Sequence, residues 1–228
     1  MESVLAPKTT LLNLFDIIVD PAGVAERLAD RRTWLYPLLL IAAGSLLMGI
    51  YNLPLLQHVA EQNLPAGLSE EQVQETLASV IRTQKIGLFL SPLGLPLKWL
   101  LGAALLFMSC VLLDIRVKYQ SLFALLAQCG LITFIQDVTV FLIIRLRAEK
   151  VETIADLSPR LGLDLVFTNL GPTWMMVLNY FSVFTVAYIL ALTLALSVTG
   201  NCTKGKAFLA TIPNWLLPLC IGIGFSLF

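Results

Sequence analysis

Between Trp34 and Leu56 the chain reads WLYPLLLIAAGSLLMGIYNLPLL, without a charged side chain. About 20 such residues in a helix match the thickness of a bilayer's hydrocarbon core. The bilayer supplies no water to unpaired backbone groups, so the run is constrained to a spanning helix. Further apolar stretches run from Ile86 to Leu113, Tyr119 to Ile144, Thr173 to Val198 and Ala207 to Phe228. The second contains Lys98 and the sequence SPLGLP, the third contains Asp137, and the fourth follows the breaker Gly171-Pro172. Charged residues make up 13% of the chain, about half the share usual in soluble domains, and mean hydropathy is +0.84. The expected fold class is all-α: a polytopic membrane protein, a bundle of five transmembrane helices at about 34–56, 86–113, 119–144, 173–198 and 207–228.

Residues 1–33 form a separate, more polar unit ahead of the five-helix domain at 34–228. Leu11, Leu12, Phe15, Ile18 and Val19 share one helical face. Asp20 stands before Pro21 as an N-cap, and Val24, Ala25 and Leu28 repeat at helical spacing. Two short amphipathic helices are therefore expected before the first span. Arg27, Arg31 and Arg32 then meet Trp34 and Tyr36, an arrangement suited to anionic headgroups and the interfacial layer. It predicts a membrane-surface anchor, and the same face offers a docking surface for a partner. The first thirty residues lack a basic head followed by a continuous apolar core, so this N-terminus is expected to be retained.

Five spans place the two chain ends on opposite sides. Arg27, Arg31 and Arg32 precede the first helix, and the short turns DIRVK (114–118) and NCTKGK (201–206) add Arg116, Lys118, Lys204 and Lys206 to the same side. Acidic residues dilute the bases of the longer opposite loops, which predicts a cytoplasmic N-terminus and a C-terminus outside, in a bacterial inner membrane. The short turns also make spans two and three, and spans four and five, antiparallel neighbours. In the first long loop, Ser69 and Gln72 have capping-box spacing, and Val73, Leu77, Val80 and Ile81 share a face. That helix either lies at the interface or extends the second span outward.

Lys98 and Asp137 are the ionisable residues expected inside spans, where a central charge costs about 2.5–3.5 kcal/mol. Counted from the turns at ~1.5 Å per residue they lie at similar depth, about 24 and 28 Å in. They are expected to face each other or share a water; alternatively Lys98 snorkels outward alone. Gln128, Thr133 and Gln136 form a candidate polar face beside Asp137, either lining a water-filled path or joining helices. Pro92 and Pro96 are read as an entry kink in preference to a binding break. Gly44, Ser45, Gly49, Gly222 and Gly224 suggest close helix contacts. His58 stands alone, and Cys110, Cys129, Cys202 and Cys220 are scattered without metal-ligand spacing. No catalytic, cofactor-binding or metal-binding residues and no cofactor are therefore expected. A formal net charge of zero gives no footprint for nucleic acid.

The arrangement LFDIIVDPAGVAERLADRRTWLYPLLL resembles the bacterial branch of the Yip1 family. So do the Asn179–Phe184 entry to span four, the Thr199-Gly200 turn and the Lys204–Ala207 start of span five. The likeness covers nearly the whole chain. It implies a five-helix integral membrane protein with a cytoplasmic N-terminus. Eukaryotic members of that family act in vesicle traffic, with Rab-type GTPases and sister Yip1-type proteins. Their N-terminal Asp-Leu-Tyr-Gly-Pro-type motif is absent here, where Asp20-Pro21-Ala22-Gly23 stands instead. The expected function is a non-enzymatic scaffold or adaptor in membrane organisation. Its expected partners are the lipid bilayer, a protein at the N-terminus, and a second copy or sister membrane protein. The alternative is a small transporter or channel for an ion, solute or lipid, using Lys98 and Asp137.

Overall fold

Serine and proline decide where the helices of this chain start and where they survive interruption. The structure, a computed structural model, describes residues 16–27, 34–64, 69–167 and 170–226. The helices are α1 (Asp16–Val19), α2 (Pro21–Arg27), α3 (Leu35–Gln62), α4 (Glu70–Leu112), α5 (Tyr119–Leu146), α6 (Pro172–Tyr180), α7 (Val183–Thr199) and α8 (Lys204–Ser226). Short 3-10 turns at Ala148–Lys150, Ile154–Leu157 and Leu163–Leu165 punctuate the loop between α5 and α6.

The expected helix at 69–84 is the first part of α4. Its capping box is made: the Gln72 N–H donates to Ser69 Oγ (3.3 Å) and the Ser69 N–H to Gln72 Oε1 (3.1 Å). α4 then runs for 43 residues, about 64 Å, as one helix that includes SPLGLP. The prolines read as an entry kink do not divide the helix, and Pro92 shows a local reason. Pro92 has no N–H for the Leu88 carbonyl one turn back, and the Ser91 hydroxyl donates to that carbonyl instead, at 2.8 Å.

The break falls in the fourth stretch, expected as one span over 173–198. α6 ends at Tyr180 and α7 begins at Val183. Ser182 between them is extended (φ −79°, ψ 164°), and its hydroxyl accepts from the Thr185 N–H at 3.2 Å, a new helix N-cap. Ser182 also forms an isolated antiparallel bridge with Gly162 of the preceding loop. α7 alone has 17 residues, about 26 Å.

Both short turns use the same device. Asp114 (φ 52°) and Asn201 (φ 43°) take the left-handed conformation one residue past the helix cap. Behind them the Ile115 N–H donates to the Cys110 carbonyl (2.8 Å) and the Cys202 N–H to the Ser197 carbonyl (3.0 Å). These are Schellman closures, and they hold α4 against α5 and α7 against α8 as antiparallel pairs. The end of the bundle that carries them is called the turn end below, and the opposite end the loop end.

α5 is the central helix. Its residues from Ala124 to Ile132 are all buried, between α3, α4 and α7. The outer helices present apolar side chains outward: Leu39, Leu47 and Ile50 on α3; Leu90, Leu93, Leu97, Leu101, Met108 and Val111 on α4. In the four longest helices only 11–33% of the most apolar window is buried within the protein, so those faces need lipid as their solvent. Close approaches fall where small residues allow them. Gly44 leaves room for Phe134 and Gly49 for Leu88, which brings α3 against α5 and α4.

The N-terminal helices pack into the turn end of the bundle. Asp20 caps α2 as expected, its carboxylate accepting from the Gly23 N–H at 2.9 Å. Ile17, Val24 and Ala25 are buried in the main core, α1 against α5 and α2 against α7. Ile18 and Val19, expected on the shared apolar face, are the outward pair, 45% and 88% exposed. Four residues of α1 turn only once, so burying Ile17 points its neighbours away.

Candidate functional site

A cavity of about 600 Å³ opens in the loop-end half of the bundle. Its walls come from α4, α5, α6, α7 and α8, with the loop at Leu157–Leu161 as a roof. Lys98, Thr133, Gln136 and Asp137 of the candidate set all line it. Gln128 is buried one to two turns nearer the turn end, outside the lining.

Lys98 and Asp137 are both exposed at the cavity and make no direct ion pair with each other. Helix register explains the gap. The packing of Gly130 on Trp99 and of Gly102 on Leu126 sets Asp137 level with about residue 92 of α4. Lys98 therefore sits six residues, or about 9 Å of helix, nearer the turn end.

The floor is a hydrogen-bonded chain that the sequence did not single out. Asn214 of α8 donates through Nδ2 to the Gly102 carbonyl of α4 (3.0 Å) and accepts through Oδ1 from the Tyr188 hydroxyl of α7 (3.2 Å). A side chain at position 102 would crowd the Asn214 amide, so glycine is what permits the approach. Nearby, the Tyr180 hydroxyl donates to the Trp215 carbonyl at 2.6 Å, tying α6 to α8. The Trp215 indole N–H, on the same wall, is buried without a hydrogen-bond partner. Below the floor the bundle is solid: Leu106, Cys110, Leu122, Leu125, Leu192 and Leu196 are completely buried.

The roof is fastened at Gly162, whose backbone lies against the Leu178 and Asn179 carbonyls at the end of α6. Asp164, 2% exposed, holds the turn by accepting from the Gly162 N–H (3.1 Å) and pairing with Arg160 (3.9 Å). Earlier in the loop, the Thr153 hydroxyl and the backbone N–H groups of Thr153 and Glu152 hold the Asp156 carboxyl below the usual carboxylate range. A second cleft of about 810 Å³ at the loop end is lined by Arg147, Lys150 and Arg160.

Of the remaining candidates, Trp34 lies at the turn end. Trp34 packs edge-on against Phe123 at 5.5 Å, and Phe123 in turn meets Trp99 at 6.2 Å. Trp34 is thus half in the bundle rather than wholly in the headgroup layer. Arg27 closes α2; its side chain, together with Arg31 and Arg32, lies outside the described residues. Arg145, at the loop end of α5, clamps α5 to α3: its guanidinium sits 4.5 Å over the Tyr51 ring and donates to the Tyr51 carbonyl. Cys110 and Cys129 are buried thiols, Cys202 is half-buried and Cys220 exposed. Among the described residues no cluster has the composition of a metal site.

Long apolar helices, outward apolar faces and a buried central helix define an integral, multi-pass, all-helical membrane protein. A family profile for the Yip1 domain matches residues 15–226, and the chain belongs to the Yip1 family. The match begins at α1, so it includes the N-terminal helices as well as the spans. Comparison with curated proteins returns no match, and comparison with solved structures returns none.

Proposed function

We propose that this protein is a non-enzymatic scaffold or adaptor in a bacterial inner membrane, with the turn end facing the cytoplasm and docking a protein partner. The observation that carries the reading is the cap made by α1 and α2. Ile17, Val24 and Ala25 fix it to the bundle, while Ile18 and Val19 stay outward on the same short segment. A rigidly held pair of apolar side chains at a membrane surface is suited to a protein or to the lipid interface. The basic residues Arg27, Arg31, Arg32, Arg116, Lys118, Lys204 and Lys206 surround that end in the chain order and support its assignment to the cytoplasm. Association with a second copy or a sister membrane protein belongs to the same reading.

The test keeps the buried side of the cap intact. Crosslinked pull-downs from native membranes compare the wild type with an Ile18→Asp, Val19→Asp variant. A partner recovered with the wild type and lost from the variant supports docking. Identical recoveries would leave the cap as a lipid anchor and remove the adaptor reading. A second reading, a small transporter, draws on the cavity and on Lys98 and Asp137. It requires the packed core beneath the floor to open, and solute flux in liposomes tests it directly.

A further inference from the structure

We propose that the loop-end cavity binds the headgroup of a zwitterionic phospholipid, its phosphodiester on Lys98 and its primary ammonium on Asp137. The inference does not depend on the docking face, which lies at the other end of the molecule.

Charge is the first argument. One cavity presents a cation and an anion that form no ion pair with each other, their backbone positions being offset by about 9 Å along the bundle. A ligand with a single charge leaves one of them facing a like charge or nothing. A phosphodiester joined to an ammonium by a two-carbon link meets both, since each contact adds a few ångströms and the lysine side chain is long. Gln136, Thr133 and Asn179 line the same space and can accept from an ammonium. The Trp215 indole N–H, buried without a partner, is a donor suited to a phosphate or ester oxygen.

Position is the second argument. Lys98 lies 14 residues from the turn-end limit of α4 and Asp137 lies 18 residues from that of α5. At ~1.5 Å per residue these are depths of about 21 and 27 Å, against a hydrocarbon core of about 30 Å. Asp137 therefore stands about 3 Å inside the loop-end boundary of the core and Lys98 about 9 Å inside it, a depth that the long lysine side chain can largely span toward the headgroups. The α4 side chains flanking Lys98, Leu97 and Leu101, face outward and continue into the lipid-facing stripe, a surface for acyl chains. The volume, about 600 Å³, suits a headgroup with its glycerol. The solid core below the floor gives the lipid no path to the turn end, which fits a bound lipid that fastens α4, α5 and α6 together.

The test measures equilibrium binding to the detergent-purified full chain of three probes. They are dihexanoyl phosphatidylethanolamine, dihexanoyl phosphatidylglycerol and soluble phosphoethanolamine. The ethanolamine lipid should bind about ten-fold more tightly than the glycerol lipid in the wild type, and Asp137→Asn should bring that ratio close to one. Lys98→Gln should weaken both lipids. The ratio is taken within one variant, so a partial loss of folded protein does not alter it. Equal binding of the two lipids by the wild type, or a ratio that survives Asp137→Asn, would overturn the proposal. Phosphoethanolamine binding as tightly as the ethanolamine lipid would overturn the membrane source of the ligand.

Discussion

Asn214 joins three helices through one amide, and at residue scale it controls the cavity more directly than either charge. Replacing it with leucine removes the bond to the Gly102 carbonyl and the bond from the Tyr188 hydroxyl together. Interhelical hydrogen bonds in membranes average ~0.6 kcal/mol with a maximum near 1.7, so Asn214→Leu should cost about 1–2 kcal/mol. Tyr188→Phe, which leaves the Gly102 bond in place, should cost roughly half as much. Thermal unfolding in detergent checks both, and equal midpoints for Asn214→Leu and wild type would mean the floor is not structural. Lys98 and Asp137 were legible in the sequence because a charge in an apolar run is conspicuous against its surroundings. Asn214 was not, although PNW places a polar amide inside span five, because its partner Gly102 lies 112 positions earlier. A glycine carbonyl also leaves no trace in a pattern of side chains.

The elements divide into those with local signals and those set by tertiary contact. The Ser69 capping box, the Asp20 cap and the two tight turns all rest on neighbours within one or two helical turns, and each was readable. The location of the helix break was not. SPLGLP carries two prolines and looked like the weaker segment, yet Ser91 bonds the carbonyl that Pro92 leaves free and lipid-facing leucines continue past it. NYFSVFT carries none, but Ser182 and Thr185 form a cap, and the loop at Gly162 bridges to the opened backbone. Periodicity reports apolar faces and is silent on which backbone groups find another partner. Gly162 is accordingly the point to probe. A valine there would strike the Leu178 and Asn179 carbonyls and push the roof off α6, at a cost of about 1–3 kcal/mol. Faster limited proteolysis within 152–166 is the expected result, with the long helices still protected; an unchanged cleavage rate would refute the docking of this loop.

At the scale of the whole molecule the two ends differ in construction. The turn end is dense, closed by Schellman turns and by the α1–α2 cap, whereas the loop end is hollow and polar. The amphipathic character of the first segment was evident in the sequence, but its burial against α5 and α7 was not, since both a bilayer surface and a bundle end reward the same apolar spacing. Val24 distinguishes the two. At 6% exposure, Val24→Asp should place an unpaired charge in the core and cost about 3 kcal/mol or more, lowering the unfolding midpoint of the whole bundle. If the segment were only a surface anchor, the same change would shift membrane affinity and leave the midpoint alone. The cap also has a consequence for biogenesis. It is synthesised before the helices it packs against, and the helix that receives α2 ends at Thr199, about 175 residues later. At ~5–20 residues per second the segment waits roughly 9–35 s before its seat exists. During that interval its apolar side chains lie open to whatever accompanies the nascent chain, so this segment is housed only after most of the bundle has followed it.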